Sequence, residues 1–131
     1  MFVDTNVIID IVSDDPSWFG WSSRQLEAAA LGDRLIVNDV VFAEISARYE
    51  TVELVSELFD GMGLEVEPIP RSGLFLAGHA YRKYRQRGGP RTGVLADLFI
   101  GAHATVTGQP LLTRDPARYQ SYFPKLELIT P

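Results

Sequence analysis

Residues 1–12 read Met-Phe-Val-Asp-Thr-Asn-Val-Ile-Ile-Asp-Ile-Val, a short apolar run followed at once by a helical pattern. The apolar run Phe2-Val3 is short enough for a strand, and the residues after Asp4 predict a helix over about positions 5–12. The same change from a short apolar run to a helical pattern recurs along the chain. Alternation of this kind predicts an α/β fold, in which parallel strands are covered by helices on both faces.

The remaining elements follow the same two patterns. Four further short apolar runs are predicted strands: Leu35–Val37, Leu64–Val66, Pro110–Leu112 and Leu126–Ile129. Further helices are predicted over about residues 22–31, 40–49, 52–61, 72–87 and 95–107.

Several residues at the ends of these segments predict where helices start and stop. Four glycines lie just past predicted helices and are expected as C-terminal caps: Gly32, Gly61, Gly63 and Gly108. Asp39 is expected to cap the helix over 40–49, and Asp115-Pro116 to open a short last helix.

The composition predicts one globular domain over residues 1–131. Of the 131 residues, 46% are apolar and 22% are charged, which excludes disordered and collagen-like chains. The net charge of −5 divides unevenly, because residues 1–67 carry −11 and residues 68–131 carry +6. Six bases and no acid lie between Glu67 and Asp97. An asymmetry of this kind indicates a polyanionic partner despite the overall acidity.

The chain contains no cysteine, so it has neither disulfides nor a thiolate metal site. Its first residues have no basic region typical of a signal peptide, and Asp4 and Asp10 interrupt the early apolar residues. The most apolar stretch, Val94–Val106, contains Asp97 and is too short to span a bilayer. We therefore expect a soluble protein of the cytoplasm.

Four carboxylates occupy positions where a parallel sheet would bring them together. Asp4 follows the first predicted strand, and Asp115 follows Leu111-Leu112-Thr113. Glu44 and Asp97 fall near the starts of two predicted helices. Because ligands bind outside the carboxyl ends of parallel strands, we expect these four acids at one edge of the sheet.

Each acid also has a simpler interpretation. Asp4 and Asp97 suit a helix cap or first turn, where acids are favoured by the helix dipole. Glu44 is spaced for an ion pair with Arg48, and Asp115 suits an ordinary turn before proline. The surroundings of Asp97 are so apolar, however, that a buried carboxylate there requires a cation or metal as its partner.

The residue types restrict the chemistry of such a site. Oxygen ligands alone suit Mg²⁺ or Mn²⁺, whereas zinc usually requires Cys or His. His79 and His103 lack metal-binding spacing, so we interpret both as structural or peripheral. No phosphate-binding glycine loop is present. An alternative class is a non-nucleolytic Mg²⁺-binding regulatory module of the receiver type, which would need a lysine near the site. A phosphatase usually needs a second acid at the position of Asn6.

Four motifs taken together resemble the PIN-domain family, in particular the VapC-type ribonuclease toxins of toxin–antitoxin pairs. These are Asp4-Thr5-Asn6, Val40-Val41-Phe42-Ala43-Glu44-Ile45, Asp97-Leu98-Phe99-Ile100-Gly101-Ala102-His103-Ala104 and Leu111-Leu112-Thr113-Arg114-Asp115. The likeness extends to Tyr84–Gly89 and to the residues from Tyr122 to Ile129. It departs at Ala96, where many relatives have proline; this change leaves the four acids intact.

The resemblance implies a three-layer α/β/α sandwich with a short, mostly parallel central sheet. It implies Mg²⁺ or Mn²⁺ held principally by Asp4 and Asp97, with Glu44 and Asp115 completing the pocket. Asn6 and Thr113 would orient ligands or phosphate.

The implied function is a metal-dependent endoribonuclease that cleaves RNA with a metal-activated water and acts as a toxin. The implied partners are the RNA substrate and a cognate antitoxin, and the implied assembly is a homodimer.

Two surface segments have open interpretations. The bases Arg82, Arg85, Arg87 and Arg91 are predicted to bind RNA beside the acidic pocket, although charge runs of this kind often form only a solvated surface. The aromatic residues Trp18, Phe19 and Trp21 predict either cover for the core or a groove for the antitoxin. Exposure of both tryptophans would favour the groove.

Overall fold

The fold is built around a parallel sheet, seen in a computed structural model that describes residues 1–91 and 93–131. Five strands were found in those residues: β1 (Phe2–Val3), β2 (Leu35–Asn38), β3 (Leu64–Glu67), β4 (Leu111–Leu112) and β5 (Leu128–Ile129). Their order is β3-β2-β1-β4-β5, and every pairing is parallel. The register pairs Phe2 with Ile36 on one side and with Leu111 on the other.

Seven helices connect and cover the strands in the described part of the chain. They are α1 (Thr5–Val12), α2 (Phe19–Gly32), α3 (Asp39–Ser46), α4 (Val52–Met62), α5 (Arg71–Gln86), α6 (Leu95–Val106) and α7 (Ala117–Tyr122). The α/β sandwich predicted from the sequence is therefore confirmed. None of these helices combines the length and the apolar character that crossing a membrane requires.

The three central strands are buried because both faces of the sheet carry apolar side chains. Phe2 and Val3 are fully buried, as are Val37 and Leu111 on the neighbouring strands. Runs that are apolar on both faces are typical of parallel sheets under two layers of helices. The sheet thus fixes the ends of β1 and β4 inside the core.

Two predictions about helix ends were wrong in part. The cap of α3 is Asn38 rather than Asp39, because Asn38 has extended backbone and its Oδ1 accepts from the amides of Val40 and Val41 at 3.1 and 3.2 Å. Among the four glycines, Gly63 and Gly108 have the positive φ expected after a helix, whereas α2 and α4 extend through the other two.

An ion pair between buried Asp10 and partly exposed Arg114 joins the first two helices to the segment after β4. Asp10 is 1% exposed and accepts from Nε of Arg114 at 2.9 and 3.0 Å and from the hydroxyl of Ser22 at 2.7 Å. The Arg114 guanidinium also lies over the Trp18 ring, 5.6 Å from its centroid. Trp18 and Trp21 are both half-buried, which favours core cover over an open groove.

Gly101 allows α6 to pack closely against Phe123, the residue that follows α7. A Cβ there would lie 2.4 Å from Cε2 of the buried Phe123. Gly101→Ala should therefore lower the thermal midpoint Tm, because overpacking costs about 1–3 kcal/mol and outweighs the higher helix propensity of alanine. Gly78→Ala on α5 is the matched control, since nothing lies within 4 Å of its Cβ position. The control should be stabilised by about 0.5–1 kcal/mol. Thermal melts that ranked the two variants in the opposite order would contradict this packing.

Candidate active site

The candidate site lies at the point in the sheet where the strand order reverses. From β1 the chain places β2 and β3 on one side and β4 and β5 on the other, so the crevice at the carboxyl ends of β1 and β4 is the expected ligand site. A cleft of about 550 Å³ opens there, and all four predicted acids line it: Asp4, Glu44, Asp97 and Asp115. The structure thus brings together the residues that the sequence placed at one edge.

Asp4 is the most buried of these acids, at 4% exposure. Its Oδ2 accepts from the hydroxyls of Thr113 at 2.8 Å and Tyr119 at 2.9 Å. Burial nevertheless raises the pKa of Asp4 from 3.8 to about 6, because it outweighs these hydrogen bonds and Asp97 adds repulsion. Although Asp4 occupies the N-cap position of α1, its side chain makes no capping bond. The simple capping interpretation is therefore wrong for this carboxylate.

Thr113 connects Asp4 to the side chain of Asn6 and to the backbone amide of Asp115. Its buried hydroxyl donates to Asp4, and it accepts from Nδ2 of Asn6 at 3.3 Å and from the amide of Asp115 at 3.1 Å. Asn6 in turn accepts from the amide of Arg114 at 3.4 Å. Asn6 and Thr113 therefore fix the orientation of Asp4 and of the backbone that presents Asp115.

Glu44 reaches the cleft from α3. Its Oε1 accepts from the hydroxyl of Thr5 at 2.7 Å, a contact with α1 in place of the Arg48 pair that its spacing permits. Burial raises the pKa of Glu44, and the negative charge of Asp97 raises it further, while the Thr5 hydrogen bond lowers it.

Asp97 lies in the first turn of α6, is partly exposed to the cleft and is paired with a cation. Nη1 of Arg118 donates to Oδ2 of Asp97 at 2.5 Å. Burial raises the pKa of Asp97 more than this arginine lowers it, and Asp115 contributes repulsion. Asp115 itself is exposed at the cleft mouth.

The cleft also contains larger polar and charged side chains that were not predicted as site residues from the sequence. Arg118, Tyr119 and Tyr122 belong to α7, and Tyr84 belongs to α5. The available signal was position: Arg118 and Tyr119 follow Asp115 by three and four residues, which places them on the first turns of a helix that starts beside the site. Burial raises the pKa of Tyr119 well above 10, and the nearby acids reinforce this, so Tyr119 remains a neutral donor to Asp4.

The donor set fits a hard divalent cation. The side-chain hydrogen bonds of these acids engage Oδ2 of Asp4, Oε1 of Glu44 and Oδ2 of Asp97. In the described residues the second oxygen of each has no side-chain hydrogen bond. Across residues 1–91 and 93–131, no three His, Asp or Glu side chains are close enough to form a complete metal cage. Mg²⁺ does not need one, because it commonly uses one or two carboxylates and retains several waters.

The histidines lie outside the cleft, in agreement with their predicted structural or peripheral role. His103 is buried, and its Nδ1 accepts from Nδ2 of Asn38 at 3.2 Å. His79 is exposed and its ring lies 4.3 Å from that of Phe75, measured between centroids.

The fold and the cleft together define an α/β protein with an acidic site suited to divalent cations. The family model described as PIN domain matches residues 1–122. The chain belongs to the PIN domain family.

Relatives and solved structures agree with this membership. VapC ribonuclease Mb2780c from Mycobacterium bovis and ribonuclease VapC42 from Mycobacterium tuberculosis are each 36% identical to the chain over 118 residues, covering 87% of it and 89% of each relative. The fold is similar to VapBC2 from Rickettsia felis bound to a promoter DNA fragment, with a TM-score of 0.73, 20% identity and coverage of 98% and 96%. The fold is also similar to that of a toxin–antitoxin complex from Klebsiella pneumoniae, with a TM-score of 0.72 and 17% identity. That match covers 99% of the present chain and 96% of the other chain.

Removing the charge of Asp4 should stabilise the metal-free protein. A carboxyl whose pKa rises from 3.8 to about 6 on folding loses at most about 3 kcal/mol of stability when charged, and this loss grows as the pH rises through that range. Asp4→Asn should therefore raise Tm in EDTA at pH 7.5 and raise it about half as much at pH 5. Its amide oxygen still accepts from Thr113 or Tyr119.

The matched control for this prediction is Asp60→Asn, which changes an exposed acid near the end of α4. It should shift Tm little at either pH. A lower Tm for Asp4→Asn at pH 7.5 would show that the hydrogen bonds to this carboxylate stabilise the fold more than its burial destabilises it.

Proposed function

We propose that the protein is an endoribonuclease that depends on Mg²⁺ or Mn²⁺ and acts as the toxin of a toxin–antitoxin pair. The observation that carries the proposal is the convergence of Asp4, Glu44, Asp97 and Asp115 in one cleft. Burial and mutual repulsion raise the pKa of the first three, so a divalent cation would stabilise them strongly. The mycobacterial relatives are named ribonucleases, which supports RNA as the substrate.

Divalent-metal dependence is general among PIN-domain ribonucleases of the VapC type. In this chain we assign the metal principally to Asp4 and Asp97, with Glu44 and Asp115 as direct or water-mediated partners. The bound cation would supply a water of lowered pKa and would polarise the phosphate. The residues around it contribute orientation: Thr113 and Tyr119 hold Asp4, Asn6 holds Thr113, and Thr5 holds Glu44.

The toxin assignment includes a protein partner. Solved structures of similar fold are toxin–antitoxin complexes, and this supports a cognate antitoxin for the present chain. A homodimer and a cytoplasmic site of action belong to the same proposal.

The receiver-like alternative is disfavoured by the composition of the cleft. Its chemistry calls for a lysine beside the acids. Among the described residues that line the cleft the cationic side chain is Arg118, and no lysine is present. Lys83 lies exposed on α5, and Lys125 lines a separate cavity.

We propose that RNA contacts four exposed arginines, which differ in their distance from the cleft and in their free donors: Arg82, Arg85, Arg87 and Arg91. Arg87 adjoins the cleft, because its guanidinium lies 5.0 Å from the ring centroid of Tyr122, a residue of the cleft wall. Arg85 donates to the carbonyl oxygen of Gly89 at 2.6 Å, so part of its donor capacity is used within the protein. Tyr84 and Tyr122 pack edge to face in the cleft wall, with their ring centroids 6.2 Å apart.

Asp97→Asn should abolish metal-dependent RNA cleavage, because it removes a carboxylate that we assign to the metal while keeping the volume of the side chain. The measurement is cleavage of total RNA with Mg²⁺ or Mn²⁺, followed by sequencing of the RNA ends. Asp39→Asn is the matched control, since Asp39 is also an acid in the first turn of a helix but is exposed. Retained cleavage by Asp97→Asn, or cleavage by the unaltered protein in EDTA, would refute the proposed chemistry.

Arg87→Ala combined with Arg91→Ala should weaken RNA binding and flatten its salt dependence. Loss of two phosphate contacts reduces the slope of log K against log salt by about 1.4 for a single strand. Binding of a labelled single-stranded RNA in EDTA provides the measurement. Arg48→Ala combined with Arg71→Ala is the control, because it removes the same charge from exposed positions outside the cleft lining. An unchanged slope in the first variant would remove these arginines from the RNA path.

A further inference from the structure

Arg118 differs from the other arginines of residues 68–131 in its position inside the acidic cleft. Among the described residues that line the cleft it is the cationic side chain, set among four carboxylates. Nη1 of Arg118 lies 2.5 Å from Oδ2 of Asp97, and the side chains of Arg118 and Asp97 are 38% and 34% exposed. Asp97 is also one of the two acids to which the proposed function assigns the metal.

This contact creates a competition at one carboxylate. A guanidinium offers a single positive charge to Asp97, whereas Mg²⁺ or Mn²⁺ offers two charges and is shared by several of the acids. A divalent cation that binds at Asp97 also repels the guanidinium. Because Arg118 lies on the first turn of α7 and is partly exposed, it can turn to solvent without disturbing the core.

We propose that Arg118 is a displaceable counter-ion of Asp97, and that divalent metal and Arg118 bind this carboxylate in alternation. In the metal-free protein the guanidinium neutralises part of the cleft and stabilises the fold. When metal enters, Arg118 leaves Asp97, so the arginine weakens the metal affinity of the site. This inference rests on the metal site of the proposed function, but its test uses no RNA and is independent of nuclease activity.

The test is Mn²⁺ binding to the RNA-free protein, measured by calorimetry and by the spin resonance signal of free Mn²⁺. Arg118→Gln should bind Mn²⁺ about three- to tenfold more tightly than the unaltered protein, because the competing charge is gone. Arg118→Lys retains the charge and should stay within about twofold of the unaltered protein. Arg48→Gln removes an exposed charge outside the cleft lining and should also leave the affinity nearly unchanged.

A second measurement separates a counter-ion from a residue that merely positions Asp97. In EDTA, Arg118→Gln should have a lower Tm than the unaltered protein, since the acids then lack their internal cation. Saturating Mn²⁺ should raise the Tm of this variant more than that of the unaltered protein. Equal or weaker Mn²⁺ binding by Arg118→Gln would overturn the proposal, and so would an absence of Mn²⁺ binding in both proteins. RNA cleavage that failed while these shifts appeared would refute the nuclease assignment alone.

Discussion

The site depends on the hydrogen bond from Thr113 to Asp4, which joins the ends of two neighbouring strands. Asp4 and Thr113 are the first residues after β1 and β4, so the buried sheet fixes the position of their backbone. With Tyr119 as a second donor, the chain stabilises a carboxylate that is almost fully buried. These two bonds do not compensate the loss of water, because the pKa of Asp4 remains near 6. The molecule therefore keeps an unfavourable charge in its interior at neutral pH, which is typical of a site that a ligand completes.

Much of the fold could be predicted because local pattern and global topology agree. The predicted bounds of β1 and α1 coincide with those observed, since a buried two-residue strand and an amphipathic helix leave little freedom. Helix ends were less predictable. Asn38 and Asp39 are both good capping residues, and only the extended backbone at Asn38 decides between them. Strand order could not be predicted from local sequence patterns either. It depends on which strands pair with each other, in particular on the pairing of β1 with β4, which lie far apart in the chain.

The four acids were predictable from their positions after strands and at helix starts, but the groups that hold them were not. Arg118 and Tyr119 reach Asp97 and Asp4 across 21 and 115 positions of sequence, and local pattern carries no information on contacts of that range. The requirement for a cation beside Asp97 nevertheless followed from its apolar neighbours, and the partner is an arginine of the chain itself. The physical demand could thus be predicted, whereas the residue that meets it depends on how α7 packs.

The Asp10–Arg114 pair has a consequence for how genetic data on this protein should be interpreted. Asp10 is buried and both residues lie outside the cleft lining, yet Arg114 immediately precedes Asp115 and its amide donates to Asn6. Substitution of Asp10 removes the ion pair with Arg114 and leaves the buried hydroxyl of Ser22 without its acceptor, so the segment before Asp115 loses its anchor. A selection for inactive alleles would therefore recover Asp10 substitutions together with those of the four acids. Asp10 would then be mistaken for a fifth carboxylate of the reaction, although its role is to anchor the segment that carries one of them.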